Sequence, residues 1–301
     1  MMRQPAAEAA LPGDTVVALP VSRNRGFRYL LRRYARNRLA LVGLWVVLLI
    51  IGLAVLAPWV APHNPIKPDF FNLLKAPDRA HLMGTDDLGR DVMSRVIFGT
   101  RTSLLAGVIS VGIAVAVGLP VGLISGYYRG RLDDVLMRIT DAMLSFPFLV
   151  LALAIAAVLG TGLGKAMIAI GIVFTPQFIR LARGQVLSER EQNYVEAARG
   201  LGAGDARIIG RHILPNILSP VFVQASLATA AAITAEAALS FLGLGTQPPT
   251  PSWGSMLNVA QAYLGSAPWM AMWPGLAIFI TVLAINLTGD GLREALDPRL
   301  R

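Results

Sequence analysis

The chain has 301 residues, of which 54% are hydrophobic and only 15% charged, and its formal net charge at pH 7 is +9. Ordinary soluble domains contain about 25% charged residues, so this composition excludes a typical water-soluble enzyme and indicates a membrane protein. The absence of cysteine excludes disulfide bonds, thiolate metal sites and cysteine nucleophiles. The three histidines lie far apart in the sequence, so we expect no histidine cluster and no metal site: His63, His81 and His212.

The first 38 residues are predicted to form a cytoplasmic tail that ends in a helix on the membrane surface. Residues 1–22 are rich in alanine, proline and glycine and show no hydrophobic periodicity, which is typical of disorder. The surface helix is predicted because four large apolar residues follow the i, i+3, i+4, i+7 spacing among arginines: Phe27, Leu30, Leu31 and Tyr34.

Six windows in the rest of the chain are long and apolar enough to cross a bilayer, which takes about 20 residues of helix. They are Leu39–Val60, Leu104–Gly126, Ala142–Gly160, Ala166–Ala182, Pro220–Leu242 and Trp269–Leu287. The first window is longer than the apolar core of a cleaved signal peptide, so we expect it to be retained as an anchor. The sequence predicts an all-α integral membrane protein with six transmembrane helices.

The basic residues give the predicted helices an orientation. Twenty of the 27 lysines and arginines fall in the N-terminal tail, the second and fourth connections and the C-terminus. Cytoplasmic segments are enriched in these residues, so both termini are predicted to be cytoplasmic. Because the arginines flank the spans and form no single patch, nucleic acid is not expected as a partner. The predicted parts are a tail (1–38), a first transmembrane helix (39–60), an outer segment (61–103), a transmembrane core (101–290) and a cytoplasmic C-terminus (291–301).

Two outer connections are long. Residues 61–103 are rich in proline and end in a predicted helical stretch, where Leu88, Val92 and Val96 share one face. Asp86 or Asp87 is placed to cap the start of that stretch. The other connection, 243–268, carries no charge.

The second span contains a stripe of small residues. Gly118, Gly122 and Gly126 are each four residues apart, so they lie on nearly one face, where they allow another helix to approach closely. The sequence leaves open whether that neighbouring helix belongs to this chain or to a partner.

The fifth span carries the candidates for a solute pathway. Ser226, Thr229 and Ser240 lie among alanines, and Glu236 is the only carboxylate within the six predicted spans. A carboxylate in a membrane helix is costly and usually functional, but Glu236 lies only six residues before Leu242. Two interpretations therefore stay open: Glu236 lines a pathway, or it makes structural hydrogen bonds.

No enzymatic chemistry and no catalytic residue are predicted. Gly160–Ala166 is similar to a phosphate-binding loop, but that pattern requires a glycine five residues before Gly164 and a serine or threonine after Lys165. The chain has Leu159 and Ala166 at those positions. The spans also lack the serine–histidine or paired-carboxylate arrangement that intramembrane hydrolysis would need.

The fourth connection, residues 194–216, predicts a cytoplasmic helix–turn–helix. Tyr194 to Ala198 is predicted to be helical, glycines at 200, 202 and 204 interrupt the helix, and Ala206 to His212 forms a second helix before Pro215. Judged on its residues alone, this basic segment either docks against a cytoplasmic partner or merely connects two spans.

The same connection resembles the EAA loop of ABC importer permeases. The resemblance rests on Glu196-Ala197-Ala198, on Gly202 six residues after the glutamate and on Leu214-Pro215, although His212 stands where the consensus usually has isoleucine. Three further stretches are similar to the C-type permease of dipeptide and oligopeptide importers: residues 84–91 (GTDDLGRD), 239–254 (LSFLGLG, then QPP and WG) and 286–299 (NLTGDGLREALDPR).

The resemblance implies the type I ABC importer permease fold and a multi-pass location in the bacterial inner membrane. A B-type permease subunit would complete the membrane part, two cytoplasmic ATPase subunits would bind ATP and Mg, and an extracytoplasmic binding protein would deliver the solute. The chain itself would carry no cofactor.

The EAA loop would supply a coupling helix, expected from about Ala198 to Ile208, that rests on one ATPase subunit. The residues implied in this role are Glu196, Ala197, Ala198, Gly202, Ala203, Asp205 and Pro215. The uncharged outer loop, with Pro249 and Trp253, would contact the binding protein or gate the outer mouth.

The solute implied is a di- or oligopeptide. Related permeases carry nickel, glutathione or other small solutes, and the binding protein selects among them, so these alternatives stay open. The rival from another class is a stand-alone secondary transporter, for which Glu236 would be the candidate coupling-ion ligand.

Overall fold

The computed structural model describes residues 32–296. Within that range the chain is helical and has no β-strand, and one isolated bridge pairs Thr85 with Asp91. The predicted tail through residue 31, most of the predicted surface helix and residues 297–301 lie outside the described residues. The helices are α1 (Arg38–Val60), α2 (Val92–Tyr128), α3 (Gly130–Leu144), α4 (Phe148–Leu159), α5 (Leu163–Glu189), α6 (Asn193–Gly200), α7 (Asp205–Phe241), α8 (Trp253–Ala260) and α9 (Trp269–Leu296).

Five of these helices, α1, α2, α5, α7 and α9, are long and apolar enough to cross a membrane. Each coincides with one predicted window, so five of the six predicted spans are confirmed. The all-α architecture is likewise confirmed for the described residues.

The third predicted span, Ala142–Gly160, is wrong as a single helix. α3 and α4 meet at an angle of 95° across a short break. Pro147 lacks an amide hydrogen and disfavours helical geometry at the residue before it, which ends α3. α4 alone has only 12 residues, and the bent pair counts as a sixth span only when taken together.

The helices alternate in direction and give the molecule two ends. The basic end holds the start of α1, the end of α9, all of α3 and α6, and the described parts of the segments predicted to be cytoplasmic. Asn37 Nδ2 donates to Glu294 Oε2 (2.8 Å) there, and Arg183 binds both carboxylate oxygens of Asp133 (2.6 and 2.7 Å). The opposite end holds residues 61–91, the α4–α5 connection and α8.

The predicted glycine stripe packs α2 against α5 of the same chain, which answers the open question about the neighbouring helix. A Cβ atom built on Gly122 would lie 2.5 Å from the Ile179 carbonyl oxygen and 2.7 Å from the Ala182 Cβ. Gly118 and Gly126 are similarly close to α5, at 2.7 and 2.9 Å from its nearest atoms. The two backbones can therefore lie this close only because these positions carry no side chain.

The cap of α2 differs from the prediction. Asp91, and not Asp86 or Asp87, caps the helix, since its carboxylate accepts a hydrogen bond from the backbone nitrogen three residues later (2.8 Å). Asp86 instead fixes the preceding turn by accepting hydrogen bonds from the backbone and guanidinium nitrogens of Arg90 (2.9 and 2.7 Å). Leu88 lies in that turn and so does not share a helix face with the residues of α2.

Candidate functional site

The fourth connection folds into a helical hairpin at the basic end. α6 and the start of α7 are joined by residues 201–204, as the helix–turn–helix prediction expected. Gly202 has a φ of +80°, a left-handed conformation that glycine adopts without strain. The expected coupling helix from Ala198 to Ile208 is therefore wrong as one continuous helix, because the turn divides it.

The sequence predicted that the second helix of the hairpin ends before Pro215, but the helix continues through this residue. α7 runs without interruption from Asp205 to Phe241, and Ile208–Ile213 form a π-helical turn just before the proline. This wider turn accommodates a residue that has no amide hydrogen to donate. The hairpin is consequently continuous with the fifth predicted span.

One face of the hairpin is buried against the ends of α2 and α5. Val195, Ile208, Ile213 and Ile217 are fully buried and form a cluster with Leu123, Tyr127 and Val186. Burial of one aliphatic side chain of this size contributes about 1.5–3 kcal/mol. The hairpin is thus fastened to the membrane helices by its apolar face.

The other face of the hairpin points away from the chain. Its exposed residues are Glu196, Ala197, Gly202, Asp205 and Pro215, while Ala198 and Ala203 are half-buried. Leu201 at the tip is 89% exposed. Most residues of the EAA resemblance therefore lie on one accessible surface, which we call the hairpin tip (residues 196–205).

One polar contact ties the hairpin to the end of α2, and a second ties the end of α2 to the end of α5. The Tyr127 hydroxyl donates to Asp205 Oδ1 (2.6 Å), which joins the end of α2 to the start of α7. Arg190 Nη1 donates to the Tyr127 carbonyl oxygen (2.6 Å). The hairpin, α2 and α5 are therefore joined at the basic end.

Glu236 is fully buried, and its carboxylate lies among hydroxyl groups. Ser103 donates to Oε2 (3.2 Å), whereas Ser240 and Thr246 donate to Oε1 (2.6 and 3.3 Å). The donors come from α2, α7 and the loop after α7, so the carboxylate joins three elements at the opposite end. Of the two open interpretations, this geometry favours structural hydrogen bonds.

We expect Glu236→Leu to destabilise the protein by about 1–3 kcal/mol, because buried hydroxyls lose their acceptor. Glu236→Gln keeps an acceptor oxygen and should retain most of the stability. Thermal unfolding of the purified protein measures both effects, and Thr234→Val is a control on the exposed side of α7. Equal stability of Glu236→Leu and Thr234→Val would contradict the structural interpretation.

Ser226 and Thr229 lie apart from this buried cluster. They border a largely apolar groove of about 590 Å³ between α1, α2, α7 and α9, which also includes Arg101. Their hydroxyls donate to carbonyl oxygens of their own helix (2.7 and 2.8 Å). The four polar residues singled out on the fifth span therefore separate into two pairs, one in the groove and one, Glu236 and Ser240, inside the chain.

Sequence reasoning missed a polar cavity at the basic end. It has a volume of about 610 Å³ and lies between α5, α7 and α9, and its polar lining includes Gln185, Glu189, Asn216, Gln224 and Arg293. The signal was present in the sequence, because glutamine is uncommon inside apolar helices unless it faces a partner or water.

Trp253 is buried and cannot contact another protein directly. Only 1% of it is exposed, its indole nitrogen donates to the Val96 carbonyl oxygen (3.1 Å), and its ring packs on Gly99. The ring fills the interface between α8 and α2, so the structure disfavours a direct contact between Trp253 and the binding protein. The alternative, that this loop gates the outer mouth, stays a prediction. Pro249, in contrast, is exposed.

Two of the three histidines meet at the opposite end, so the expectation that the histidines form no cluster is wrong for this pair. The Nδ1 atoms of His81 and His63 lie 3.0 and 3.7 Å from Asp91 Oδ1, and the ring centroids are 4.8 Å apart. Asp78 fixes the turn before His81 by accepting a hydrogen bond from its backbone nitrogen (2.6 Å). The Lys75 ammonium, foremost, and that backbone amide lower the pKa of Asp78 to about 2.

Two protein-family models match the chain. Residues 118–301, which include the hairpin, match the model described as "Binding-protein-dependent transport system inner membrane component". Residues 27–77 match the "N-terminal TM domain of oligopeptide transport permease C".

Curated relatives match over most of their length. The chain is 48% identical over 274 residues to the di/tripeptide transport system permease protein DppC of Pseudomonas aeruginosa, which covers 89% of this chain and 90% of the relative. It is 43% identical over 291 residues to the glutathione transport system permease protein GsiD of Pectobacterium atrosepticum, with coverages of 95% and 97%. The GsiD protein of Escherichia coli is 46% identical over 271 residues, with coverages of 90% and 89%.

A solved structure shares the fold. A chain of the MetNI methionine ABC transporter in an inward-facing conformation superposes with a TM-score of 0.58, covering 68% of this chain and 98% of that chain. The sequence identity is 20%, so this similarity concerns the fold alone. It agrees with the type I importer permease fold that the sequence predicted.

Proposed function

The chain belongs to the family of binding-protein-dependent transport system inner membrane components, and we propose that it carries di- or oligopeptides across the bacterial inner membrane. It is a multi-pass permease subunit of an ABC importer. The observation that carries the peptide assignment is the 48% identity to a di/tripeptide permease over nearly the full length of both chains. The N-terminal match to oligopeptide transport permease C supports the same substrate class.

The proposed orientation places the basic end in the cytoplasm. The described arginines of the tail, of α3 and of the hairpin gather at that end, in agreement with the excess of basic residues on cytoplasmic segments. Both termini would then be cytoplasmic. The hairpin tip would face the compartment that contains ATP.

In the proposed mechanism the hairpin tip docks on one of two ATPase subunits, which bind ATP and Mg and perform the hydrolysis. Leu201 and its exposed neighbours would enter a groove on that subunit, while Val195 and Ile208 stay buried against the membrane helices. Closure of the ATPases would displace the tip, and the contact between Tyr127 and Asp205 would transmit that displacement to α2 and α7. Transport is then a population shift between two helix packings, without a covalent intermediate.

A second permease subunit of the B type would complete the pathway. The cavity at the basic end is a candidate for its cytoplasmic mouth on this chain, since Gln185, Asn216 and Gln224 offer hydrogen bonds of the kind peptide groups make. Ser226 and Thr229 border a separate and more apolar groove. We propose them as secondary candidates only, and we assign Glu236 and Ser240 to the structure of the opposite end.

The exposed part of the long outer loop is the proposed contact for the extracytoplasmic binding protein. Residues 247–250, including Pro249, are exposed, whereas the residues that follow, 251–254, are buried. Trp253 would contribute by anchoring α8 to α2 beneath this surface. The contact would therefore be made by the loop before α8 and not by the tryptophan.

Glutathione is the second candidate solute. The relatives named as glutathione permeases are 43% and 46% identical to this chain, close to the value for the di/tripeptide permease. Glutathione is itself a tripeptide with an unusual first linkage, so one pathway could suit both classes. Competition between a labelled dipeptide and unlabelled glutathione for the binding protein separates them.

Affinity purification of the tagged chain from its native membrane tests the proposed assembly. We expect a second six-span permease and ATPases with phosphate-binding loops to be identified by mass spectrometry. Leu201→Glu should reduce recovery of the ATPases at least tenfold while the second permease is retained, because it places a charge where an apolar contact is proposed. The matched control is Leu82→Glu, since Leu82 is exposed at the opposite end.

Two results would contradict this assembly. One is recovery of the chain alone, or as a homo-oligomer that transports on an ion gradient. The other is equal loss of the ATPases in Leu201→Glu and Leu82→Glu.

A further inference from the structure

Two imidazoles and one carboxylate converge at the opposite end, away from the hairpin, from Glu236 and from the polar cavity at the basic end. His63 follows α1, His81 lies in the outer segment and Asp91 caps α2. Each side chain offers one ligand atom, and the three atoms all lie within 4.8 Å of one another. A pair of imidazoles with a carboxylate is a common ligand set for zinc in proteins.

Two of the three separations between ligand atoms are close to those around a tetrahedral ion. Zinc bonds to nitrogen and oxygen of about 2.0–2.1 Å place neighbouring ligand atoms roughly 3.3 Å apart in a tetrahedron. Asp91 Oδ1 lies 3.0 Å from the Nδ1 atom of His81 and 3.7 Å from that of His63, one slightly shorter and one slightly longer than this value. Small side-chain rotations would therefore bring the three atoms to coordinating positions.

The carboxylate is already oriented by contacts of its second oxygen. Asp91 Oδ2 accepts hydrogen bonds from the backbone nitrogen and the hydroxyl of Ser94 (2.8 and 2.7 Å). The same hydroxyl accepts a hydrogen bond from the backbone nitrogen of His63 (3.0 Å). These contacts leave Oδ1 directed at the imidazoles, and supporting bonds of this type are typical of metal sites.

The site is buried on one side and open on the other. The side chains of His81 and Asp91 are 10% and 1% exposed, whereas that of His63 is 42% exposed. All three border a cavity of about 340 Å³, which also includes Lys67. Lys67 is exposed, so water and salt screen its charge. Three protein ligands and one open side leave room for a fourth ligand from solvent.

We propose that His63, His81 and Asp91 bind a divalent transition-metal ion of the zinc class. The ion would join the segment after α1 to the start of α2. His63 and Asp91, which represent these two parts, are 28 residues apart in sequence. The alternative is a plain hydrogen bond from His81 to Asp91 with His63 stacked beside it. The proposal rests on the geometry of this end and not on the proposed transport function.

Zinc titration of the purified importer complex tests the proposal. The complex is prepared without a polyhistidine tag, treated with a chelator, desalted and titrated with Zn²⁺ against a chromophoric chelator at about pH 7.5. We expect one saturable site per chain that His63→Ala and His81→Ala each weaken more than about 100-fold, since losing even a supporting group costs 10–100-fold. Asp91→Asn should weaken it too while keeping an oxygen to cap α2.

His212→Ala is the matched control, because it removes the remaining histidine of the chain, which lies at the basic end. Zinc sites on partner subunits cancel in the comparison, since the partners are the same in every variant. The metal-free variants should elute from gel filtration as the wild-type complex does, so that lost binding is not lost folding. Wild-type complex without saturable zinc binding, or binding that persists in the His63→Ala, His81→Ala double variant, would overturn the proposal.

Discussion

Replacing Gly122 by valine is expected to prevent α2 and α5 from packing and to abolish most of the folded complex. Even the alanine side chain would place its Cβ 2.5 Å from a carbonyl oxygen of α5, an atom that cannot move without moving the helix. Overpacking of a close interface costs about 1–3 kcal/mol for small additions and more for branched residues. We therefore expect a graded loss of thermal stability and yield from glycine to alanine to valine.

Gly112 provides the matched control on the same helix. A Cβ atom built there meets nothing within 4 Å, so Gly112→Ala should leave the unfolding midpoint of the purified complex unchanged or slightly raised. Equal stability of Gly122→Ala and Gly112→Ala would contradict the assigned packing of α2 on α5.

Replacing Gly202 by valine is expected to reduce ATP-driven uptake at least tenfold while the complex still assembles in the membrane. Nothing lies within 4 Å of a Cβ at this position, so the effect is conformational and not a clash. The positive φ costs a residue with a side chain about 1–2 kcal/mol, and more when it is β-branched. The turn would relax and reorient α6, which carries Glu196, away from its proposed ATPase contact. Glu196→Lys should also uncouple transport, but for a different reason, since it reverses the charge at the proposed ATPase contact.

Gly204→Val is the control that separates the effect of the positive φ at Gly202 from the effect of adding a valine side chain to the turn. Gly204 lies two residues further on, also in open space, but its φ of −70° and ψ of 157° suit valine. Uptake into membrane vesicles, normalised to the amount of assembled complex, should stay near wild type in this variant. Normal uptake by well-expressed Gly202→Val would contradict a coupling role for the turn.

Hydropathy predicted five of the membrane helices because the position of such a helix depends on the local content of apolar residues. Five spans follow from runs of apolar residues that satisfy their own backbone hydrogen bonds. The third failed because Ala142–Gly160 has a suitable mean hydropathy, while the single residue Pro147 decides where the helix stops. Pro215, in contrast, does not end its helix, because a π-helical turn just before it lets α7 continue.

Tertiary contacts between distant segments could not be predicted in the same way. The spacing of Gly118, Gly122 and Gly126 indicated a close helix contact, but only the fold identifies α5 as the neighbour. Glu236 lies near the end of its span in sequence, yet Ser103 from α2 and Thr246 from the following loop enclose it.

Side-chain direction accounts for the remaining errors. Trp253 lies in an uncharged outer loop, which suggested a surface role, but a capped helix turns its ring inward. His63 and His81 are 18 residues apart, and they meet because Asp78 fixes the turn before His81 and both imidazoles approach Asp91. The helix–turn–helix of the hairpin was predicted correctly because its glycines are a local signal, although its second helix continues through Pro215.

Reconstitution into proteoliposomes tests whether this chain imports peptides with energy from partner ATPases. The purified complex is inserted with ATP and Mg²⁺ on the side of the hairpin tip and with its binding protein and a labelled dipeptide on the other side. We predict uptake toward the ATP side that requires the binding protein, survives ionophores and is lost in Gly202→Val but kept in Gly204→Val. Uptake by this chain alone, without ATP and driven by an ion gradient, would contradict the account.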